Sequence, residues 1–366
     1  MNKLKIALVK QEVYQDLYVC PVTEKDPGQI LFSSMGRVGP IALMSDLNAD
    51  FYIVKEESNK ETRIYQKVIP HIAPYLHLLK TETLDKIPGQ EFKSPGSPYP
   101  NGKYAVSCYT IDWGQYDIVI SINISLPTQL ILKYPQTLFA YMIGEANMAT
   151  GKARFGYDAT LNQMARGRIS HKCGAIDFPY TFVAKDTLEK IMQQYLGRPS
   201  ARKGIFMEIN STTERPVTRI PDHFQPLADA GYEIILHQQK IADNLKNIYD
   251  AKYFVKMGGR SIRGNSVAEA VSLGTLAIMN RDEVIHHELI IDECNVKTMD
   301  EMISLINRLE NDPELYRTLQ QKQRQVLHTY FFDAPLQSLI NCLKEKRGLS
   351  KPRTYSRWNR LFDNLY

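Results

Sequence analysis

Short apolar runs at residues 204–209, 232–236, 253–255 and 275–279 are separated by helix-compatible segments at 222–230, 241–248 and 267–273. Few folds satisfy such an alternation. Parallel strands need long crossovers, and a helix is the usual crossover. The pattern therefore predicts a parallel sheet with right-handed connections in the second half of the chain. The third connection is the most informative. After Val255 comes a loop holding Gly258, Gly259 and Gly264 among Arg260, Ser261, Arg263, Asn265 and Ser266. A helix follows, Gly274 stops it, and the run TLAIM closes the unit.

A loop of this composition suits an anion. Asn265 or Ser266 can cap the helix that begins there. The unpaired amides and the helix dipole at that end favour negative charge. The glycines admit a close backbone approach, and Arg260 and Arg263 can add charge-assisted hydrogen bonds to phosphate. Glu269 lies one turn in. A phosphate would repel it, so it is expected to face a neutral hydroxyl donor such as a ribose. The plainer alternative is one more strand–helix unit with a solvated glutamate and two surface arginines, because glycine-rich loops also occur without ligands.

The segment VAEAVSLGTLAIM, residues 267–279, resembles the nucleotide-binding half of GT-B glycosyltransferases. That family carries a Glu-Ala pair, then a glycine, a small residue and an apolar strand. Residues 300–324, DEMISLINRLENDPELYRTLQQKQR, resemble it too, with a helix, the run NDPELY and a second helix. The arginine-flanked loop is also similar to that of exostosin-like transferases. The resemblance covers roughly residues 200–340. It implies two Rossmann-like domains facing a central cleft, a GT-B fold of class α/β. It implies that Glu269 holds the ribose of a UDP- or GDP-sugar used as substrate, with no separate cofactor. Many retaining members carry a further Glu eight residues before this one. Ser261 stands there, which leaves the donor-sugar contact and the stereochemistry open. The loop after the family's first strand of this domain commonly carries a basic residue for the pyrophosphate. Arg215 and Arg219 are the nearest matches, although the usual Gly-Arg pair is absent. His237, past the second strand, is expected beside the nucleotide base.

The 366 residues exceed one ordinary core and fit two domains. The linker GRPS at 197–200 places the boundary there, giving domains at 1–196 and 197–345 and a basic tail at 346–366. A hydrophobic content of 43% and a charged content of 23% are those of a soluble globular chain. A net charge of +5 is too mild to imply nucleic acid, and no nucleic-acid-binding module is recognisable. Cys20, Cys108, Cys173, Cys294 and Cys342 are scattered singly, which suits a reducing compartment and disfavours zinc. The opening run IALV is too short for a signal peptide, and no run has the length of a membrane span. The expectation is a cytoplasmic protein.

In the first half, residues 4–9, 51–54, 116–124 and 137–144 read as strands, residues 61–82 as a helix and 83–103 as a long loop. Gly36, Arg37 and Gly39 form a loop that is either a phosphate-side loop or an ordinary turn. Ligands of doubly wound sheets sit beyond the carboxyl ends of the strands. That places Asn123, Ser125, Glu145 and Asn147 near a site. An inverting transferase needs a base for the acceptor hydroxyl. Glu145 is the first candidate, Asp112 the second and His171 the third. His71 and His77 read as structural. The C-terminal helices near 313–330 and 334–347 are expected on the second domain. Tyr355, Trp358 and Phe362 in the basic tail suit docking on the first domain or, as the sharper alternative, peripheral contact with an anionic membrane.

The reading is a metal-independent glycosyltransferase moving a sugar from a nucleotide-sugar donor to a glycan or other acceptor. No acidic Asp-any-Asp metal site is present, and the helix dipole and arginines can neutralise the leaving diphosphate. The alternatives on the same fold are a sugar-nucleotide epimerase, an envelope-polymer phosphotransferase, or a non-catalytic nucleotide-sugar or glycan binder.

Overall fold

The computed structural model describes residues 4–11, 47–54, 76–79, 108–122, 126, 128–143, 156–162, 176–178, 187–208, 217–237, 241–258, 265–349 and 354. The chain divides into two compact units.

The first unit is built on a seven-stranded sheet. Its strands are β1 (Ile6–Gln11), β2 (Asp50–Val54), β3 (Leu76–Leu79), β4 (Ile118–Ile122), β5 (Leu138–Ile143), β6 (Ala159–Asn162) and β7 (Ile176–Asp177). The order is β3-β2-β1-β4-β5-β6-β7, with every pairing parallel. This is the doubly wound order, in which chain direction across the sheet reverses between β1 and β4. The central strands are apolar on both faces, as covered parallel strands are. Ile118, Val119, Ile120, Phe139, Ala140 and Tyr141 are all buried. A short helix, α1 (Thr128–Leu132), follows β4. The Tyr157 hydroxyl accepts from Leu126 N–H at 2.6 Å and Ser121 Oγ at 2.7 Å, which fastens the start of α1 to the end of β4.

The second unit carries α2 (Thr187–Leu196), β8 (Ile205–Met207), α3 (Gln225–Asp229), β9 (Ile234–Ile235), α4 (Ile241–Asp250), β10 (Tyr253–Lys256), α5 (Asn265–Ser272), β11 (Leu276–Met279), α6 (Met299–Asn311) and α7 (Pro313–His328). Its sheet runs β11-β10-β8-β9, again all parallel. The four strands, the parallel pairing and the α/β class expected from the alternation are therefore present. Helix α6 opens with a capping box, Thr298 and Glu301 exchanging bonds with each other's backbone. Asp312 caps α7, accepting from Leu315 N–H at 2.9 Å. A last helix, α8 (Ala334–Arg347), continues from α7 through a π-helical segment, Thr329–Asp333.

The units do not follow the boundaries read from the sequence. Helix α2 belongs with the second sheet: its Glu189 carboxylate pairs with Arg324 at 2.6 Å and Arg202 at 3.3 Å. The change of unit thus precedes α2 rather than following it. Helix α8 belongs with the first sheet, not the second. Lys346 pairs with Asp158 at 2.8 Å and Arg347 with Asp117 at 2.6 Å. Arg347 Nε also donates to the Gln136 carbonyl at 3.0 Å. The cations in the last turn of α8 meet carboxylates at the amino ends of β4 and β6. The helix expected over 61–82 is contradicted where it is described. Residues 76–79 are β3, in register with β2 from Phe51↔Leu76 to Val54↔Leu79. Pairing with a neighbouring strand overrides the helical spacing. No described helix is long and apolar enough to cross a membrane.

Candidate functional site

In the second sheet the chain moves outward from β8 to β9, then crosses back to β10 and on to β11. The reversal lies between β8 and β10. Open parallel sheets bind ligands at such a switch point, outside the carboxyl ends of the strands. The residues at those two ends are therefore the ones to examine. Glu208 follows β8, is buried, and donates its N–H to the Val255 carbonyl at 2.9 Å. Lys256 closes β10 with no exposed side-chain surface.

Lys256 Nζ is ion-paired with Glu283, which is 16% exposed and lies in the 3-10 turn Arg281–Glu283 after β11. The same ammonium donates to the Gly258 carbonyl at 2.8 Å, and Gly258 N–H donates to Glu283 Oε1 at 3.0 Å. Both backbone polar groups of one glycine are thus held by the two halves of one buried ion pair. Gly258 has φ +71°, a left-handed conformation in which a side chain is strained.

Helix α5 starts at Asn265, beyond the glycine-rich loop. Val267, Ala268, Ala270 and Val271 are buried, which seats the helix on its sheet. Gly274 ends it at φ +78°, with Gly274 N–H bonded to the Val271 carbonyl at 3.0 Å and Thr275 N–H to Ala270 at 2.8 Å. These are the paired bonds of a Schellman cap. A Cβ at Gly274 would lie 2.5 Å from Arg202 Nη2. That guanidinium donates to the Leu273 carbonyl and, at 3.1 Å, to Thr275 Oγ1. Burial lowers the pKa of Arg202 while the Tyr316 hydroxyl and Glu189 raise it. An arginine stays charged at neutral pH, so a cation faces the negative end of α5.

Glu269 lies one turn into α5 and is only 5% exposed. The carboxylate expected to face a ribose is thus inside the fold, just past the middle of the helix. Ser266 is half-buried in the first turn. His237 follows β9 and is buried. Its ring packs 5.8 Å from the Phe206 ring, and the Asn244 amide nitrogen lies 3.2 Å from its Nδ1. Its carbonyl accepts from Val217 N–H at 3.1 Å. The structure gives His237 a packing position at the rim of the sheet. Arg219 is exposed, between β8 and α3.

Asp112 is not placed to be a base at a carboxyl-end site. It is exposed at the amino end of β4, where it caps the 3-10 turn Trp113–Gln115 and accepts from Gly114 N–H at 3.0 Å. His77 is structural as expected, bonded through Nε2 to Asp50 at 2.9 Å and stacked on Tyr52 at 4.6 Å. Glu145, His171, Arg215, Arg260, Arg263 and Gly264 lie outside the described residues. So do Gly36, Arg37, Gly39, Asn123, Ser125 and Asn147. Among the described residues, no cluster of three or more His, Cys, Asp or Glu side chains could hold a metal ion.

The sequence reading passed over Lys256 and did not pair Glu283 with it. The signal was present in part, because a lysine directly ending the run YFV and preceding Met-Gly-Gly is an unusual break in a buried strand.

No protein-family model matches the chain, and no curated protein matches it. Among solved structures it is similar to the T4 phage β-glucosyltransferase, with 11% identity over 94% of this chain and 100% of that one, TM-score 0.43. It is similar to a putative UDP-N-acetylglucosamine 2-epimerase from Listeria monocytogenes, with 12% identity over 96% and 100%, TM-score 0.45. A third is the sucrose-phosphate synthase of Thermosynechococcus elongatus, with 13% identity over 93% and 99%, TM-score 0.41. With every score below 0.5, the functional reading rests on the chain's own residues.

Proposed function

We propose that the carboxyl edge of the second sheet binds a nucleoside diphosphate-sugar, and that the protein transfers the sugar to a hydroxyl of a glycan or other acceptor. One observation carries the reading. The strand order reverses between β8 and β10, and the connection leaving β10 there starts at a clamped glycine and leads to the amino end of α5. Switch point and helix N-terminus are each favourable for a phosphorylated ligand, and here they belong to one connection.

In this account the diphosphate lies at the amides that open α5, with Arg260 and Arg263 adding positive charge. Glu269 accepts from the ribose hydroxyls. In the transfer, the acceptor oxygen bonds to the anomeric carbon of the sugar while the bond from that carbon to the diphosphate oxygen breaks. The acceptor proton passes to a general base, and the nucleoside diphosphate leaves with the bonding pair. Charge builds on that diphosphate. The helix amides and arginines oppose it in place, without a metal ion.

The test is a melting-temperature screen followed by calorimetry with UDP, GDP, ADP, CDP and CMP, each with and without EDTA. A ligand that binds only the native state raises its melting temperature. One nucleoside diphosphate is expected to raise it, with EDTA making no difference. No shift with any of them would overturn the nucleotide site, and a shift abolished by EDTA would overturn metal independence.

A further inference from the structure

We propose that the buried Lys256–Glu283 pair is a positioning device for the anionic end of the ligand, an inference that rests on the nucleotide-site reading above. A buried ion pair is a poor device for stability alone, because apolar residues of similar volume often serve as well or better. What this pair does is geometric. Lys256 is the last residue of β10, and Glu283 is presented by the turn after β11. That turn is itself fixed. The Asn280 side chain accepts from Asp282 N–H at 3.0 Å, and Arg281 N–H donates to Asn295 Oδ1 at 2.9 Å. Arg281 Nε also donates to the Ile290 carbonyl at 2.9 Å. Two anchored strand ends therefore converge on Gly258 and hold its N–H and its carbonyl together. The direction in which the backbone leaves β10 for α5 is set at that residue.

The pair also settles an electrostatic problem. Glu283 places a carboxylate at Gly258, the start of the connection whose far end is proposed to receive a diphosphate, and alone it would oppose that ligand's charge. The Lys256 ammonium cancels that charge. Glu283 can then hold Gly258 N–H without opposing an anion. Lys256 and Glu283 are positioning residues, and neither needs to touch the ligand.

Calorimetry with UDP and uridine, and with GDP and guanosine, on the wild type, Lys256→Met and the double variant Lys256→Met/Glu283→Gln tests this. Lys256→Met leaves a bare carboxylate. It should bind the diphosphate that the wild type prefers at least roughly tenfold more weakly, with unchanged affinity for the nucleoside. The double variant removes that charge, and its amide oxygen still accepts from Gly258 N–H. Its diphosphate affinity should fall between the other two with nucleoside affinity unchanged in all three, a selectivity that a merely structural role would not produce. Should Lys256→Met fail to fold, the double variant carries the test alone. It leaves no unpaired buried charge, and it must still bind the diphosphate more weakly than the wild type does. Equal weakening of diphosphate and nucleoside, or no weakening of either, overturns the positioning role while the nucleotide site stands. A wild type that binds none of these nucleotides overturns both.

Discussion

Glu269 sits one turn into α5 and is almost wholly enclosed. A carboxylate in that position is a strong acceptor for hydroxyl groups. Hydrogen bonds to charged groups contribute about 1.5–3 kcal/mol each. Glu269→Ala is therefore expected to weaken nucleoside and nucleoside diphosphate alike by roughly ten- to a hundredfold, read on a variant whose cooperative melting transition shows that it is folded. Calorimetric affinities equal to the wild type would remove Glu269 from the site. Single residues were unevenly legible in the sequence. Glu269 stands out in the sequence because it lies in a motif with fixed spacing to the glycine that ends its helix. Lys256 does not, because its partner is 27 residues away and only the fold brings them together. Asp112 is the opposite case, a group whose described bond is local. Its bond is to Gly114, two residues on, where it caps a 3-10 turn.

Among the elements, β11 shows how an edge is finished. As an edge strand, β11 would present unpaired backbone groups. Gln323 of α7 covers it, accepting from Ala277 N–H at 2.9 Å and donating to the Ala277 carbonyl at 3.0 Å. The primary amide thus replaces one residue of a missing neighbour strand. Further along, Val296 N–H donates to the Met279 carbonyl at 3.1 Å. Gln323 is buried, so Gln323→Leu would leave two backbone groups without partners or water. The expected loss is roughly 1–3 kcal/mol for each group so orphaned, read from denaturant unfolding as a lower midpoint with an unchanged slope. An unchanged midpoint would show that the edge needs no such cover. Strands β8 to β11 were visible in the sequence because each is an apolar run bounded by polar turns. Strand β3 was not. Its four residues fit a longer helical spacing, and only its partner β2 selects the extended form.

The whole molecule consists of two parallel-sheet units whose sequence segments interleave at the C-terminal end. Helices α2 to α7 and strands β8 to β11 form one unit, and α8 goes with the sheet of β1 to β7. The alternation of strand and helix made the α/β class legible. The unit boundaries were not, because α2 and α8 are amphipathic helices whose assignment depends on ion pairs distant in sequence, Glu189 to Arg324 and Arg347 to Asp117. Linker composition around 197–200 pointed to a turn that exists but lies inside the second unit. The carboxyl edge of the second sheet is the proposed nucleotide site. Amide hydrogen exchange, with and without the nucleoside diphosphate that raises the melting temperature most, tests it most directly. Protection is expected to concentrate in peptides covering residues 253–283. Protection confined to peptides from the first unit, with 253–283 unchanged, would contradict it.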